Sequence, residues 1–395
     1  MNQQGGPAIS QAPADRMDRD QIVRLTAAKT LTNASLRWIP FFFVTLEVAF
    51  DTTTATLAAV LGLAEMTGLA TLFIGGYLDR GHEKTLMLVA IGLVGVSGAI
   101  ALGGSVVYFA ASVMVLVLGT AFLTSSGHAW ISARVPFENR ARIIGTFETS
   151  WAFGLLVGAP TMALLIRWFG WRGPFVAMII AAPIGALLIY RMPDTPPTVA
   201  ARGSEKTSMR LTLDAWILIT AGASVAVAGF ATLVMIGTWL DDDLGVSTGG
   251  IGLVAMAFGT AELVSSASSA LLADRFGKRR TTQLALMLLL VGLVVVALAE
   301  TSLLVGALGI VLFFLGFEYG IVTCFSLVSE AMPSARGRCI TIGGAVGTVA
   351  RGAGAVLAGQ LYGHFGINGP IALSAIAAAL ALVMLSIAAQ RTAVA

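Results

Sequence analysis

Residues 85–133 read TLMLVAIGLVGVSGAIALGGSVVYFAASVMVLVLGTAFLTSSGHAWISA, a run of 49 positions without Asp, Glu, Lys or Arg. As one helix this run would extend roughly 74 Å, more than twice the hydrocarbon thickness of a bilayer. It must therefore cross a membrane twice, with Gly103-Gly104-Ser105 as the turn. Charges punctuate the rest of the chain in the same way. Counting between them predicts helices over 30–50, 55–78, 85–103, 106–131, 143–166, 174–190, 214–238, 249–272, 281–299, 303–328, 339–361 and 370–390. The expectation is an all-α membrane protein with twelve transmembrane helices.

Composition points the same way. Of 395 residues 57% are hydrophobic and only 11% charged, and the mean hydropathy is +0.87. Soluble domains carry about 25% charged residues, so no water-facing surface can be built from this chain. The 45 glycines suit membrane helices, whose backbones approach closely through small residues. Residues 1–20 are polar and lack the apolar core of a signal peptide. Cys324 and Cys339 read as small packing residues. His82, His128 and His364 show no metal-ligand spacing, and no nucleophile elbow, zinc-protease motif or phosphate loop occurs. No metal or other cofactor is expected, and nothing favours a nucleic-acid partner.

Lys and Arg set the orientation. With a cytoplasmic N-terminus, inside loops and tails collect 20 of 24 basic residues; only Arg167 and Arg172 fall outside, and Arg37 and Arg351 lie within spans. Both termini are thus expected in the cytoplasm. The polar stretch around Pro193, Pro196 and Pro197 divides the chain near its middle. Similar features recur across that divide: FGWRGP at 169–174 and FGINGP at 365–370, Leu78-Asp79-Arg80 and Ala273-Asp274-Arg275, Ala64-Glu65 and Ala261-Glu262. A duplicated six-helix unit follows, with the substrate site between halves. The expected organisation is a cytoplasmic tail over 1–29, bundles over 30–190 and 214–390, a cytoplasmic linker over 191–213, and a short tail over 391–395.

The loop GGYLDRGHEK, from Gly75 through Asp79 and Arg80 to Lys84, and its counterpart ALLADRFGKRR, with Asp274, Arg275, Gly277 and Arg279, carry a resemblance. Both resemble the Gly-x-Leu-Ala-Asp-Arg-x-Gly-Arg-Lys signature of the major facilitator superfamily. In the first loop His82 stands where the pattern has its second Gly, and Glu83 where it has Arg. The resemblance implies a conformational latch, with Asp79 at the start of helix 11 and Asp274 at the start of helix 5. A carboxylate is favoured at a helix N-terminus by its amides and dipole. Gly145, Gly154, Gly158 and Pro160 in helix 5 resemble the glycine motif of proton-driven drug antiporters, with Ala159 intervening before the proline. The antiporter Arg of helix 4 is replaced by Val115. The branch most resembled is that of twelve-helix drug:proton antiporters and arabinose-efflux-type permeases. It implies a monomer in the bacterial cytoplasmic (inner) membrane that exchanges a small-molecule substrate for protons. A carrier of a polar metabolite such as a sugar or amino acid stays open beside it, with a non-transporting membrane sensor more remote.

Ionisable groups inside a membrane cost about 2.5–3.5 kcal/mol each on insertion scales, so they are paired or line a wet cavity. Glu65, Glu262, Glu318 and Arg351 lie deepest in the predicted spans; Arg37, Glu47 and Glu148 lie nearer helix ends. Ion pairs are expected between Glu65 and Arg351, and between Arg37 and Glu148. Glu318 sits among Phe313, Phe314, Phe317 and Tyr319 without a basic residue in its helix, an apolar setting that disfavours the ionised form. It is the leading candidate for the proton-coupling residue, with Glu262 its nearest rival and Glu65 third.

Overall fold

The protein is described here by a computed structural model covering residues 18–78, 80–135, 137–194, 210–299, 302–332 and 335–394, the side chains of 137, 138, 141, 270–274, 336, 337 and 391–394 excepted. Twelve spans follow in order. The first, α1, comprises a helix Arg19–Arg37, a 3₁₀ turn Ile39–Phe42 and a helix Phe43–Phe50. α2 comprises Thr54–Glu65 and a 3₁₀ segment Met66–Phe73. α3 is Glu83–Ala101, and α4 is Val106–Arg134. α5 comprises Phe137–Phe153, a π turn Gly154–Gly158 and Ala159–Phe169. Then come α6 (Arg172–Tyr190), α7 (Leu213–Asp242), α8 (Thr248–Phe276), α9 (Lys278–Ala297), α10 (Leu303–Glu330), α11 (Arg336–Phe365) and α12 (Asn368–Val394). Eleven of these are long and apolar enough to cross a membrane as they stand; α1, with its charges, is the twelfth.

Local chemistry explains the boundaries. Gly104 takes φ +72° in the turn between α3 and α4, a conformation that suits glycine. Thr53, Thr212, Ser247 and Ser302 cap α2, α7, α8 and α10, each side-chain oxygen accepting from a backbone N–H three residues on. Pro40 lies in the 3₁₀ turn of α1 and Pro160 just after the π turn of α5, where the missing N–H breaks the regular ladder. The counterparts in the second half, α7 and α11, contain no proline and run unbroken.

The largest boundary difference from the sequence reading lies at the first span. α1 begins at Arg19 rather than at residue 30. Its first turns stay helical because Leu25, Ala28 and Lys29 are buried, with Leu25 and Ala28 packed in one cluster with Met87, Trp130 and Phe147. Arg24 also pairs with Asp20 at 2.6 Å, one turn apart. Arg37 therefore lies midway along the span, not near a helix start.

The six-helix halves meet at the end remote from the termini. There Gly62 of α2 faces Gly352 of α11 so closely that a Cβ on either would overlap the other's carbonyl oxygen. Gly259 of α8 faces Leu156 and Ala152 of α5, and Gly252 faces Ala163. Towards the termini the picture reverses: a Cβ added at Gly344 or Gly347 of α11, or at Gly145 of α5, would have nothing within 4 Å. The molecule is closed at the far end and opens towards the termini.

Candidate functional site: a charged cavity between the halves

A cavity of about 270 Å³ lies between the halves, lined from α1, α2, α5, α7, α10 and α11. Ten of its fourteen lining residues are apolar, Phe41, Leu61, Trp151, Phe230 and Phe317 among them; the other four are Arg37, Glu65, Glu318 and Arg351. Phe41 is placed by the 3₁₀ turn, where its backbone rests directly on Gly237 of α7.

The structure brings Glu65 and Arg351 together: Arg351 Nη2 donates to Glu65 Oε2 at 2.8 Å, joining α2 to α11. It does not bring Arg37 and Glu148 together, and that expectation is corrected. Arg37, raised to mid-span by the earlier start of α1, makes a two-pronged ion pair with Glu262 of α8. Nη1 donates to Oε2 at 2.6 Å, and Nη2 donates to Oε1. Both side chains are buried, at 8% and 2% exposure. Arg37 Nη1 also donates to the Trp151 carbonyl at 2.7 Å, and the guanidinium stacks 4.5 Å from that indole. Paired in this way, the guanidinium satisfies the fork geometry that makes Arg–carboxylate contacts strong. Glu318 is buried on α10, in the field of both Glu262 and Arg37. One guanidinium and two carboxyl groups, drawn from both halves, thus form a single cluster.

Glu148 belongs to a second cluster. Its Oε1 accepts from Lys29 Nζ at 2.6 Å and lies 2.7 Å from His128 Nε2. Lys29 is 1% exposed, whereas Glu148 and His128 are about 40% exposed. Sequence reasoning missed both partners. Lys29 falls in the expected tail, and His128 carries no signal in its own neighbourhood because its partner, Glu148, comes from α5.

The helix 5 glycines divide. Gly154 and Gly158 lie against Asn33 and Ala34 of α1, while Gly145 faces open space. Pro160 begins the helix after the π turn. In the first loop motif Gly75 has open space around it, Arg80 is exposed, and Lys84 pairs with Asp194, just after α6, at 3.2 Å. Asp79 lies outside the described residues, as does the side chain of Asp274. Gly81 and Gly277 take φ +83° and +85°. The first loop therefore makes its left-handed turn one position earlier, and His82 costs it nothing there. Arg275 lies 5.5 Å from the Phe276 ring, and Arg279 falls in the first turn of α9.

Two helical bundles with a charged cavity between them, closed at one end, define a membrane transporter rather than an enzyme. The profile of the Major Facilitator Superfamily matches residues 29–324 and again 218–393. The chain belongs to that family. It is 27% identical over 265 residues to a chloramphenicol resistance protein of Streptomyces lividans, covering 64% of this chain and 66% of that one. It is 24% identical over 279 residues to a multi-drug resistance efflux pump PmrA homolog of Lactococcus lactis, covering 66% of each. A niacin transporter of Acinetobacter baylyi matches over 136 residues at 26% identity, 34% of this chain and 31% of that one. The chain thus spans at most about two thirds of these relatives' lengths. Among solved structures, a bacterial homolog of the human lysosomal transporter Spinster, inward-facing and unoccupied, superposes with TM-score 0.75, 15% identity and coverage of 94% and 95%. A D-xylose-proton symporter superposes with TM-score 0.73, 18% identity and coverage of 92% and 96%.

Proposed function

We propose that this chain exports small organic, drug-like compounds across a bacterial cytoplasmic membrane in exchange for protons, with Glu318 carrying the proton. The observation that carries this reading is the Arg37–Glu262–Glu318 cluster beside a mainly apolar cavity. Two carboxyl groups beside one guanidinium carry one proton between them when the cluster is neutral. Glu262 is held by Arg37, which leaves Glu318 as the group that gains and loses it. With that proton the cluster and the Glu65–Arg351 pair carry no net charge; without it the cavity carries one negative charge. Efflux proteins among the relatives support the direction of transport, and the positive-inside pattern supports an open end that faces the cytoplasm. In the same reading Asp79 and Asp274 latch the halves when the cavity opens outward, and the α5 glycines hold α1 in place. The second reading, a polar metabolite, is favoured by the two Arg–Glu pairs and rests on how much of their charge a ligand can reach.

The test is transport by the purified chain in liposomes under an imposed pH gradient, with radiolabelled chloramphenicol, niacin and xylose as probes. Accumulation of the drug, but not of the metabolites, is expected. A Glu318→Gln chain should insert normally, being nearly isosteric, and lose gradient-driven transport. Full gradient-driven transport by that variant removes Glu318 from the mechanism.

A further inference from the structure

The two arginines that line the cavity are engaged differently. Arg37 is 8% exposed, and both of its terminal nitrogens are taken, by Glu262 and by the Trp151 carbonyl. Arg351 is 37% exposed and makes a single contact, from Nη2 to Glu65 Oε2. Its Nε and Nη1 have no hydrogen-bond partner among the described residues. The cavity's carboxylates are hidden by comparison: Glu65 is 11% exposed, and Glu262 and Glu318 are buried. The charged group that a ligand in the cavity meets most readily is thus a guanidinium, which only donates and has donors to spare. Around it stand Phe41, Trp151, Phe230 and Phe317, and Trp151 stays 39% exposed although Arg37 stacks on its ring. A pair that only held α2 to α11 would gain most from the two-pronged geometry that Arg37 achieves. The single prong of Arg351 instead leaves unmatched donors in a cavity wall. The pair also lies beside the closed end: Gly352 follows Arg351 directly, and Glu65 is about one turn from Gly62.

We propose that Arg351 is the anchor for the transported compound, taking an uncharged oxygen acceptor, a carbonyl or nitro group, on a compound with an aromatic body. This deepens the export reading and rests on it. With Glu318 protonated, the charges of Arg37, Arg351, Glu65 and Glu262 cancel. A carboxylate or ammonium group brought in with the compound would then stay uncompensated in a site largely out of water, which is costly. An uncharged acceptor avoids that cost and satisfies the spare donors. The compound's ring lies offset or edge-on against Trp151, Phe230 or Phe317, the arrangements that aromatic pairs favour. A volume of about 270 Å³ is at the small end for ligand pockets, about 300–1,000 Å³, and suits one substituted ring system. Glu65 competes with the compound for Arg351. Binding therefore loosens the α2–α11 contact next to the Gly62–Gly352 crossing, on the side from which the far end would open. Arg37, with its terminal nitrogens occupied, takes no part in the choice of compound.

The experiment measures retention of radiolabelled chloramphenicol by the full chain in lipid nanodiscs and its displacement, with empty nanodiscs as the control for partitioning. The displacing probes are methyl naphthyl ketone, ethylnaphthalene and naphthoate, which share a ring system and differ in the acceptor. For the native chain the ketone should act at about a tenfold lower concentration than the hydrocarbon, the worth of one hydrogen bond to a charged donor. Naphthoate should be weaker than the ketone. In Arg351→Gln the advantage of the ketone over the hydrocarbon should vanish. The double variant Arg351→Gln, Glu65→Gln leaves neither charge unpaired and should lose the same advantage, so a folding defect in the single variant does not decide the result. Glu65→Gln alone should bind the ketone several-fold more tightly, because the competitor for Arg351 has lost its charge; a merely structural pair gives no such gain. An advantage that survives in both Arg351 variants, a Glu65→Gln chain that binds the ketone no better, or naphthoate as the strongest displacer overturns the anchor and leaves the export reading intact. A native chain that retains no chloramphenicol removes the export reading and the anchor with it.

Discussion

Arg37 is the residue on which most of the site depends. It is buried, bound by two prongs to Glu262, stacked on Trp151 and adjacent to Glu318. Replacing it by Leu leaves carboxyl groups buried without their cation, and breaking a buried pair by removing one partner costs about 3–5 kcal/mol. The double variant Arg37→Leu, Glu262→Leu removes both charges and should recover most of that loss. Thermal unfolding in detergent checks this, and a double variant no more stable than the single one would contradict the pairing as the source of the effect. His128 teaches the converse lesson at this scale. No residue near it in sequence hints at a partner, and its surroundings are set by a glutamate on α5 that also accepts from a lysine on α1.

Among the elements, the irregular ones belong to the first half. The 3₁₀ turn of α1 seats Phe41 against Gly237, and the π turn of α5 lets Gly154 and Gly158 sit on Asn33 and Ala34. Single π turns inside α-helices often mark functional sites. α2 and α11 cross where Gly62 meets Gly352, and neither position has room for a side chain. A Gly62→Leu chain therefore cannot close at the far end as the native chain does. Overpacking of this kind costs about 1–3 kcal/mol, enough to shift a balance between open and closed forms. Spin labels at Val107 and Leu304, both highly exposed at the far end on opposite halves, should report a longer distance in that variant. An unchanged distance distribution would show that the crossing relaxes some other way.

For the whole molecule, the test is topology. On the positive-inside reading the open end and Asp194 face the cytoplasm, while Leu304 faces out. Cys324 and Cys339 are both buried, so background labelling by thiol reagents is low. In intact cells a membrane-impermeant maleimide should label Leu304→Cys and spare Asp194→Cys until the cells are opened. The reverse pattern would invert the molecule and turn the proposed exporter's open face outward.

The sequence by itself determined the all-α membrane fold and the number of spans. A bilayer fixes how long an apolar run can be, and an uncharged stretch of 49 residues leaves only one way to fold it. Glu65 and Arg351 could be matched because both lie at mid-depth on helices that adjoin in the resembled fold. Tertiary structure alone decided the partners of Arg37, Glu148 and Lys29. The reason is geometric: depth in the membrane depends on where a helix starts, and the start of α1 at Arg19 is held by packing against α3, α4 and α5 rather than by any local signal. Moving that start by eleven residues carries Arg37 from an expected neighbour of Glu148 to the midpoint of the span, where Glu262 and Glu318 wait on the other half.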